Sequence, residues 1–576
     1  MIRKVIIILS IVLLIITGGY IFIKFYFLKV KDFKPDTSKD KSIIDLRPAI
    51  IAKLQQLVKD GSDGLYTLSI EKINPDVLAS TLDIINASLH IDTTVMLQLG
   101  KQKELPDDIF KIHFDSLHID GIGFDYLFHT RRVNITRINI SNPLIEVYHK
   151  QLANNKALRA RNDTLSFYTR IREEMNKITI GNINVDKGTL IIYRAPQNKN
   201  ITRFNDVAIK IKDVLVDSST QFDATRFLFA KHATIDAKNY IIPTADSLYY
   251  FKTGAISISA ELHKLTLLNV ELNARGNRKQ FENKLHYRKD RYHFAFPRVT
   301  LYNVDWWALM NHDKFISKKT VIMGGVFTTF LDRSLPANPA PPVDNFPHQL
   351  LMKVPIPVSV GNIKLQHVNV SYEEYSPEAK RSSTAFFDNI NGRLNYVSNI
   401  PADIKKHPVA NFSGRGLFMH HTPMKVRFTF NLSKYKTGDF TADVSMDTLD
   451  NGTINPLAQP LGLFSVKSGK MQHATAHIEG NNFKAKCKIA ISYTGLHIQP
   501  LKKANENGQL KKKRITSVIA NAFFIKNDNP EKGKELRKPD YSVERDHHGN
   551  FFNMIWTTVL TGILKTVGIP VKLGMH

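Results

Sequence analysis

The dominant signal along the chain is alternation of apolar and polar positions. From Lys177 to Asp206 the sequence reads K-I-T-I-G-N-I-N-V-D-K-G-T-L-I-I-Y-R-A-P, an insert, then F-N-D. Ile178, Ile180, Ile183, Val185, Leu190 and Ile192 fall mostly at every second position, with Asn184 and Asp186 between them. A period of two marks a strand with one apolar face. Asp186-Lys187-Gly188 is a turn signal, so the stretch predicts a hairpin.

The pattern restarts at Gly361-Asn362-Ile363-Lys364-Leu365, continues in Val368-Asn369-Val370-Ser371-Tyr372, and ends in Phe387-Asp388-Asn389, which matches Phe204-Asn205-Asp206. A fainter copy is Ile138-Asn139-Ile140, Asn142-Pro143 and Ile145-Glu146-Val147-Tyr148. Three copies of one template predict a sheet built by repetition. Val207, Ile209 and Ile211 alternate with Ala208, Lys210 and Lys212. Late in the chain Ala485, Cys487, Ile489 and Ile491 alternate with Lys484, Lys486 and Lys488.

Helical spacing is rare. Leu46 to Lys59 and Thr164 to Asn176 carry apolar residues three and four apart. Phe551 to Val567 has a wide apolar face containing Phe552, Ile555, Trp556, Val559 and Ile563. An amphipathic helix of this kind suits a membrane interface, a partner groove, or packing on the last strands.

Residues 1–31 read as a membrane anchor. Val5 to Ile23 is an apolar run long enough to span a bilayer core, which takes about 20 residues. Arg3 and Lys4 precede it and no small-residue cleavage pattern follows. Lys24, Lys29, Lys31 and Lys34 come next, and positive charge there favours the opposite topology. Long domains translocate regardless, so the expected location of the bulk is outside the cytoplasm. Past a polar linker, the expected segments are 32–335 and 348–549, both β, separated by a Pro-rich loop at 336–347 and followed by a tail at 550–576.

The chain has 576 residues, of which 43% are hydrophobic, and a net charge of +27. That charge suits anionic head groups or nucleic acid, or is a solvated basic surface. The membrane anchor and the lack of a basic aromatic motif argue against nucleic acid. One cysteine, Cys487, excludes an intramolecular disulfide framework. On an apolar face it reads as a small hydrophobe.

No catalytic constellation stands out. Gly462 to Met471 superficially suggests a phosphate loop, but Met471 occupies the position of the required Ser or Thr. Asp546-His547-His548 and His420-His421 are adjacent side chains, which rarely converge on one metal ion without distant ligands. The expectation is a protein without enzyme activity, cofactor or metal.

Some 20 to 25 strands, each with one apolar face, must bury that face against something. Closed sandwiches are one solution. A long curved sheet whose apolar side holds lipid chains is the other. Stacked side by side, so many strands would extend roughly 100–120 Å.

The apolar N-terminal segment, the G-N-I units with trailing F-N-D or F-D-N, and the C-terminal residues together resemble the AsmA-like proteins of Gram-negative envelopes, including the DUF748 group. The C-terminal part, with Tyr493-Thr494-Gly495-Leu496-His497-Ile498, Ala520 to Asn527, Glu544-Arg545-Asp546 and Phe551-Phe552-Asn553, is similar to versions found in Bacteroidetes. The resemblance implies an inner-membrane anchor, a bulk in the periplasm, and an elongated, repeat-built antiparallel β-groove of the bridge-like lipid-transfer type. It implies a role in the traffic of membrane lipids, most simply phospholipid, or in outer-membrane homeostasis. The reach of the stacked strands, short of a full periplasm, predicts an elongated monomer that meets an envelope protein partner at its C-terminal end. The competing expectation is a scaffold for outer-membrane protein assembly.

Overall fold

The computed structural model describes residues 47–569, apart from 123–131, most of 151–175, 195–199, 340–342, 512–524 and isolated positions. The expected anchor over 1–31, the linker up to residue 46 and most of the helix expected over Thr164–Asn176 lie outside the described residues. No described helix is long and apolar enough to cross a membrane. The described chain is mainly β, with 22 strands in a mixed sheet. It divides into two compact units.

Unit 1 comprises Met1–Thr244, Phe251–Leu267 and Asn303–Asp313. It contains α1 (Arg47–Asp60), β1 (Tyr66–Asp76), β2 (Thr81–Ile91), α2 (Thr93–Gln102), β3 (Asp108–Asp120), β4 (Arg132–Ser141), β5 (Leu144–His149), β6 (Lys177–Arg194), β7 (Asn200–Val216) and β8 (Ala230–Pro243). Helix α1, expected from its spacing, buries Leu54, and Gln55 Nε2 donates to the Leu68 carbonyl of β1 at 3.0 Å. Strands β9 (Tyr249–Ser259), β10 (Lys264–Ala274) and β11 (Arg291–Val304) contribute residues to both units.

Unit 2 comprises Ala245–Tyr250, Leu268–Tyr302 and Lys314–His576. It contains β12 (Phe315–Met323), β13 (Val326–Asp332), α3 (Pro347–Met352), β14 (Val358–Ser376), β15 (Arg381–Ser398), β16 (Val409–Phe418), β17 (Thr422–Asn431), β18 (Phe440–Met446), β19 (Leu449–Asp450), α4 (Asn455–Gly462), β20 (Phe464–Gly480), β21 (Lys484–Pro500), β22 (Asp540–Glu544) and α5 (Phe551–Val567). From β14 onward the pairings β14–β15, β15–β16, β16–β17, β17–β18, β18–β20, β20–β21 and β21–β22 are all antiparallel.

The repeat has a structural counterpart, but its unit is not a hairpin. Strand β6 runs unbroken through Asp186-Lys187-Gly188. Lys187 takes a left-handed φ of 53°, and the register against β7 slips between Val185 and Gly188. The turn residues form a bulge, which re-aims a strand without ending it. In β14 the same slip lies between Leu365 and Val368, with His367 at φ 53°. In the faint copy, Asn142 at φ 50° separates β4 from β5. Both of those strands pair with β3 on one side and with β6 on the other. The matching F-N-D and F-D-N ends place Asp206 and Asn389 at the same φ of 50°.

The glycines of the two G-N-I units also coincide. A Cβ on Gly181 would stand 2.6 Å from the Thr136 carbonyl oxygen, and one on Gly361 would stand 2.8 Å from that of Lys318. Each glycine lets a parallel neighbour, β4 or β12, approach closely.

The purely antiparallel expectation is corrected by those neighbours. Strands β4 and β5 are parallel to β6, and β12 and β13 are parallel to β14. Parallel pairing needs a connection of a dozen or more residues. The chain supplies one at 150–176 and another at 333–357.

Candidate functional site

In unit 2 register fixes a row of side chains on one face of the sheet. Ile363 faces Leu394, Leu394 faces Phe412, and Phe412 faces Phe428. Phe428 faces Ala442, Ala442 faces Ile478, Ile478 faces Cys487, and Cys487 faces Tyr541. Directly opposed residues share a face, so eight strands from β14 to β22 present one apolar line. Its exposure is uneven. Ile363, Leu394, Phe412 and Phe428 are half-buried, whereas Ala442, Ile478 and Cys487 are fully buried.

Helix α5 accounts for the difference. Its first residue, Phe551, is wedged among Phe346, Phe428, Phe430 and Phe440, with ring centroids 5.0–5.8 Å away. Asn550 caps the helix by accepting from the Asn553 backbone N–H at 2.9 Å. Met554, Leu560, Leu564 and Val567 join Ala485, Cys487, Ile489 and Ile491 in one core. Gly562 lies on β21 and β22, where a Cβ would meet Ile489 Cγ2 at 2.7 Å and the Tyr541 hydroxyl closer still. Tyr541 donates to the Thr558 carbonyl at 2.7 Å. The buried hydroxyls of Thr558 and Thr566 donate to the carbonyls of Met554 and Gly562, both at 2.7 Å. That back-bonding leaves the methyls to pack and no donor unsatisfied.

The expected groove residues therefore fall into two sets. In unit 2, Ala485, Cys487, Ile489 and Ile491 are buried beneath the chain's own helix. In unit 1, Ile183, Val185, Leu190, Ile192 and Ile211 are buried, while Val207 and Ile209 are half-buried. Ile183 pairs with Ile211 and Val185 with Ile209, so these four share a face. Of the expected interface residues of α5, Ile555, Trp556, Val559 and Ile563 are half-buried against the core. Phe552 is 39% exposed and stacks on Tyr372.

Trp556, Leu560 and Ile563 line a small apolar cavity of about 110 Å³, together with Ile454, Phe464 and Met471. Sequence reasoning did not single out Phe412, Phe428 or Leu394. The F-x-F alternation of Phe428 and Phe430 was the available signal.

The short C-terminal motifs serve this packing. Arg545 is buried, lies over the Phe346 ring at 4.2 Å, and donates to the Val343 carbonyl and to Asn345 Oδ1, both at 2.6 Å. Burial lowers its pKa to about 10. Tyr493 donates to the Lys526 carbonyl at 3.1 Å. Burial pushes the Cys487 thiol up, away from the thiolate that nucleophilic chemistry requires.

Among the described residues no three His, Cys, Asp or Glu side chains converge to hold a metal ion. His420 instead bonds Asp388, and His548 bonds Asp546. Trp306 is buried, edge-on to Phe227. No family profile and no curated protein matches the chain.

Proposed function

We propose that this protein is an AsmA-like, membrane-anchored carrier of lipid, most simply phospholipid, along an apolar β-groove in the periplasm of a Gram-negative cell. The observation that carries the reading is the half-buried part of the cross-strand row, Ile363–Leu394–Phe412–Phe428. Three consecutive strands, β14 to β16, offer half-buried apolar side chains there to a non-polar occupant, and Phe428 on β17 joins them to the rings around Phe551. In this reading α5 caps the groove in unit 2, and Phe552 is available to an envelope partner or another membrane. Transport needs no catalytic residue, cofactor or metal, in keeping with the sequence.

The test is gentle extraction followed by native mass spectrometry, with photo-crosslinking side chains at Phe412 and Phe428 and at Asn411 and Thr429 on the opposite face. Co-purified phospholipid crosslinked at the two phenylalanine positions is the expected result. Protein free of lipid, or equal labelling of both faces, would overturn the carrier reading and leave the assembly-scaffold reading in its place.

A further inference from the structure

The opposite, polar face of the same strands is shaped as an open trough of about 1170 Å³. Arg415 on β16, Lys425 and Arg427 on β17, Lys488 on β21 and Lys538 line it. Arg415 and Lys425 are direct cross-strand partners. Like charges in that position repel and destabilise the pair. The arrangement breaks a local rule of sheet design, and such violations collect at functional sites.

The acids in the trough do not relieve it. Asp443 is opposite Arg427 in register but is engaged by His477 Nδ1 at 2.6 Å. Asp540 lies 3.7 and 3.8 Å from the ammonium groups of Lys486 and Lys488. Among the described residues, Arg415, Lys425 and Arg427 have neither an ion-pair nor a side-chain hydrogen-bond partner. Three cations that make no ion pair thus stand on two adjacent strands, with the Ser413 hydroxyl beside them, because Ser413 is opposite Arg427.

We propose that this trough is a binding site for a compact phosphorylated molecule. Guanidinium forks match phosphate oxygens in a bidentate way, and an ammonium adds a mobile point charge. Neighbouring strands are about 4.8 Å apart, and alternate residues of one strand about 7 Å. Cations at that spacing converge on one compact multivalent anion. The phosphate belongs either to a soluble molecule or to a single lipid head group drawn from its membrane.

The test is calorimetric titration of the full chain in detergent with inositol hexakisphosphate. A parallel arm uses mixed micelles containing phosphatidic acid, with phosphatidylcholine micelles as reference. Binding in either arm is expected and identifies the source of the phosphate. Arg415→Ser, Lys425→Ser and Arg427→Ser should each weaken it at least tenfold, whereas Lys425→Arg and the distant Lys532→Ser should not. Removing the opposed charge should also raise the melting temperature of Lys425→Ser in the absence of ligand. The proposal is overturned if neither phosphate probe binds more tightly than its reference, if polyglutamate binds more tightly than both, if Lys425→Ser binds like the parent, or if Lys425→Ser melts lower.

Discussion

Gly562→Val tests whether α5 is what seals the apolar face of β21 and β22. The valine Cβ would enter space held by Ile489 Cγ2, 2.7 Å away, and by the Tyr541 hydroxyl. Overpacking a core position costs about 1–3 kcal/mol. Lifting the helix also breaks the 2.7 Å bond from Tyr541 to Thr558, which contributes about 1 kcal/mol. The local seat of α5 should therefore weaken by about 2–4 kcal/mol.

The chain carries its own reporter for that change. Cys487 is its single cysteine, is fully buried, and belongs to the core that α5 completes. Thiol labelling under native conditions then tracks opening of the helix. Each 1.4 kcal/mol is a factor of ten in population, so labelling in Gly562→Val should be faster by roughly 30- to 1000-fold. Tyr541→Phe, which removes the hydrogen bond alone, should give about fivefold. Circular dichroism melts run alongside separate local opening from global unfolding. A folded Gly562→Val protein that labels at the parent rate would refute the assignment of α5 as the seal.

Two more expectations follow from the packing. Asp290, half-buried, accepts hydrogen bonds from Asn550 and Tyr292, and burial raises its pKa from 3.8 to about 6. The fold thus retains this proton where the unfolded chain has released it. The stability that retention contributes is present below about pH 4 and is lost as pH rises through 6, at most about 3 kcal/mol. Subtracting the pH profile of Asp290→Asn from that of the parent, by urea unfolding between pH 4 and 7, should isolate this slope; parallel profiles would contradict it. Gly181→Ala and Gly361→Ala each push a methyl against a neighbouring carbonyl, so each should lower the urea midpoint by the equivalent of about 1–3 kcal/mol. A loss at one glycine and none at the other would break the structural equivalence of the two copies.

Alternation along the chain was enough to place β4, β5, β6, β7, β14 and β21, because burial on one face of a sheet imposes a period of two on any sequence. The helix expected over Phe551–Val567 has those same bounds in the structure, as amphipathic spacing over that length fits no strand. The repeat was legible too, through glycines and left-handed residues that recur where the backbone demands them.

The fate of each pattern was not. Asp186-Lys187-Gly188 has the local chemistry of a turn and of a bulge alike. It is a bulge because Thr189 to Arg194 pair not only with β7, the next strand along the chain, but also with β5, which lies before the long connection. Parallel neighbours were hidden for the same reason, since orientation depends on how a long connection crosses the sheet. The destination of α5 also had to wait for the fold. An apolar helix face suits lipid, a partner or the chain's own sheet equally well. Only the close fit of Gly562 to Tyr541 and Ile489, and of Phe551 to its four neighbouring rings, selects the sheet. Spacing reports what a side chain must avoid, which is water; complementary shape, assembled from distant segments, decides what it meets instead.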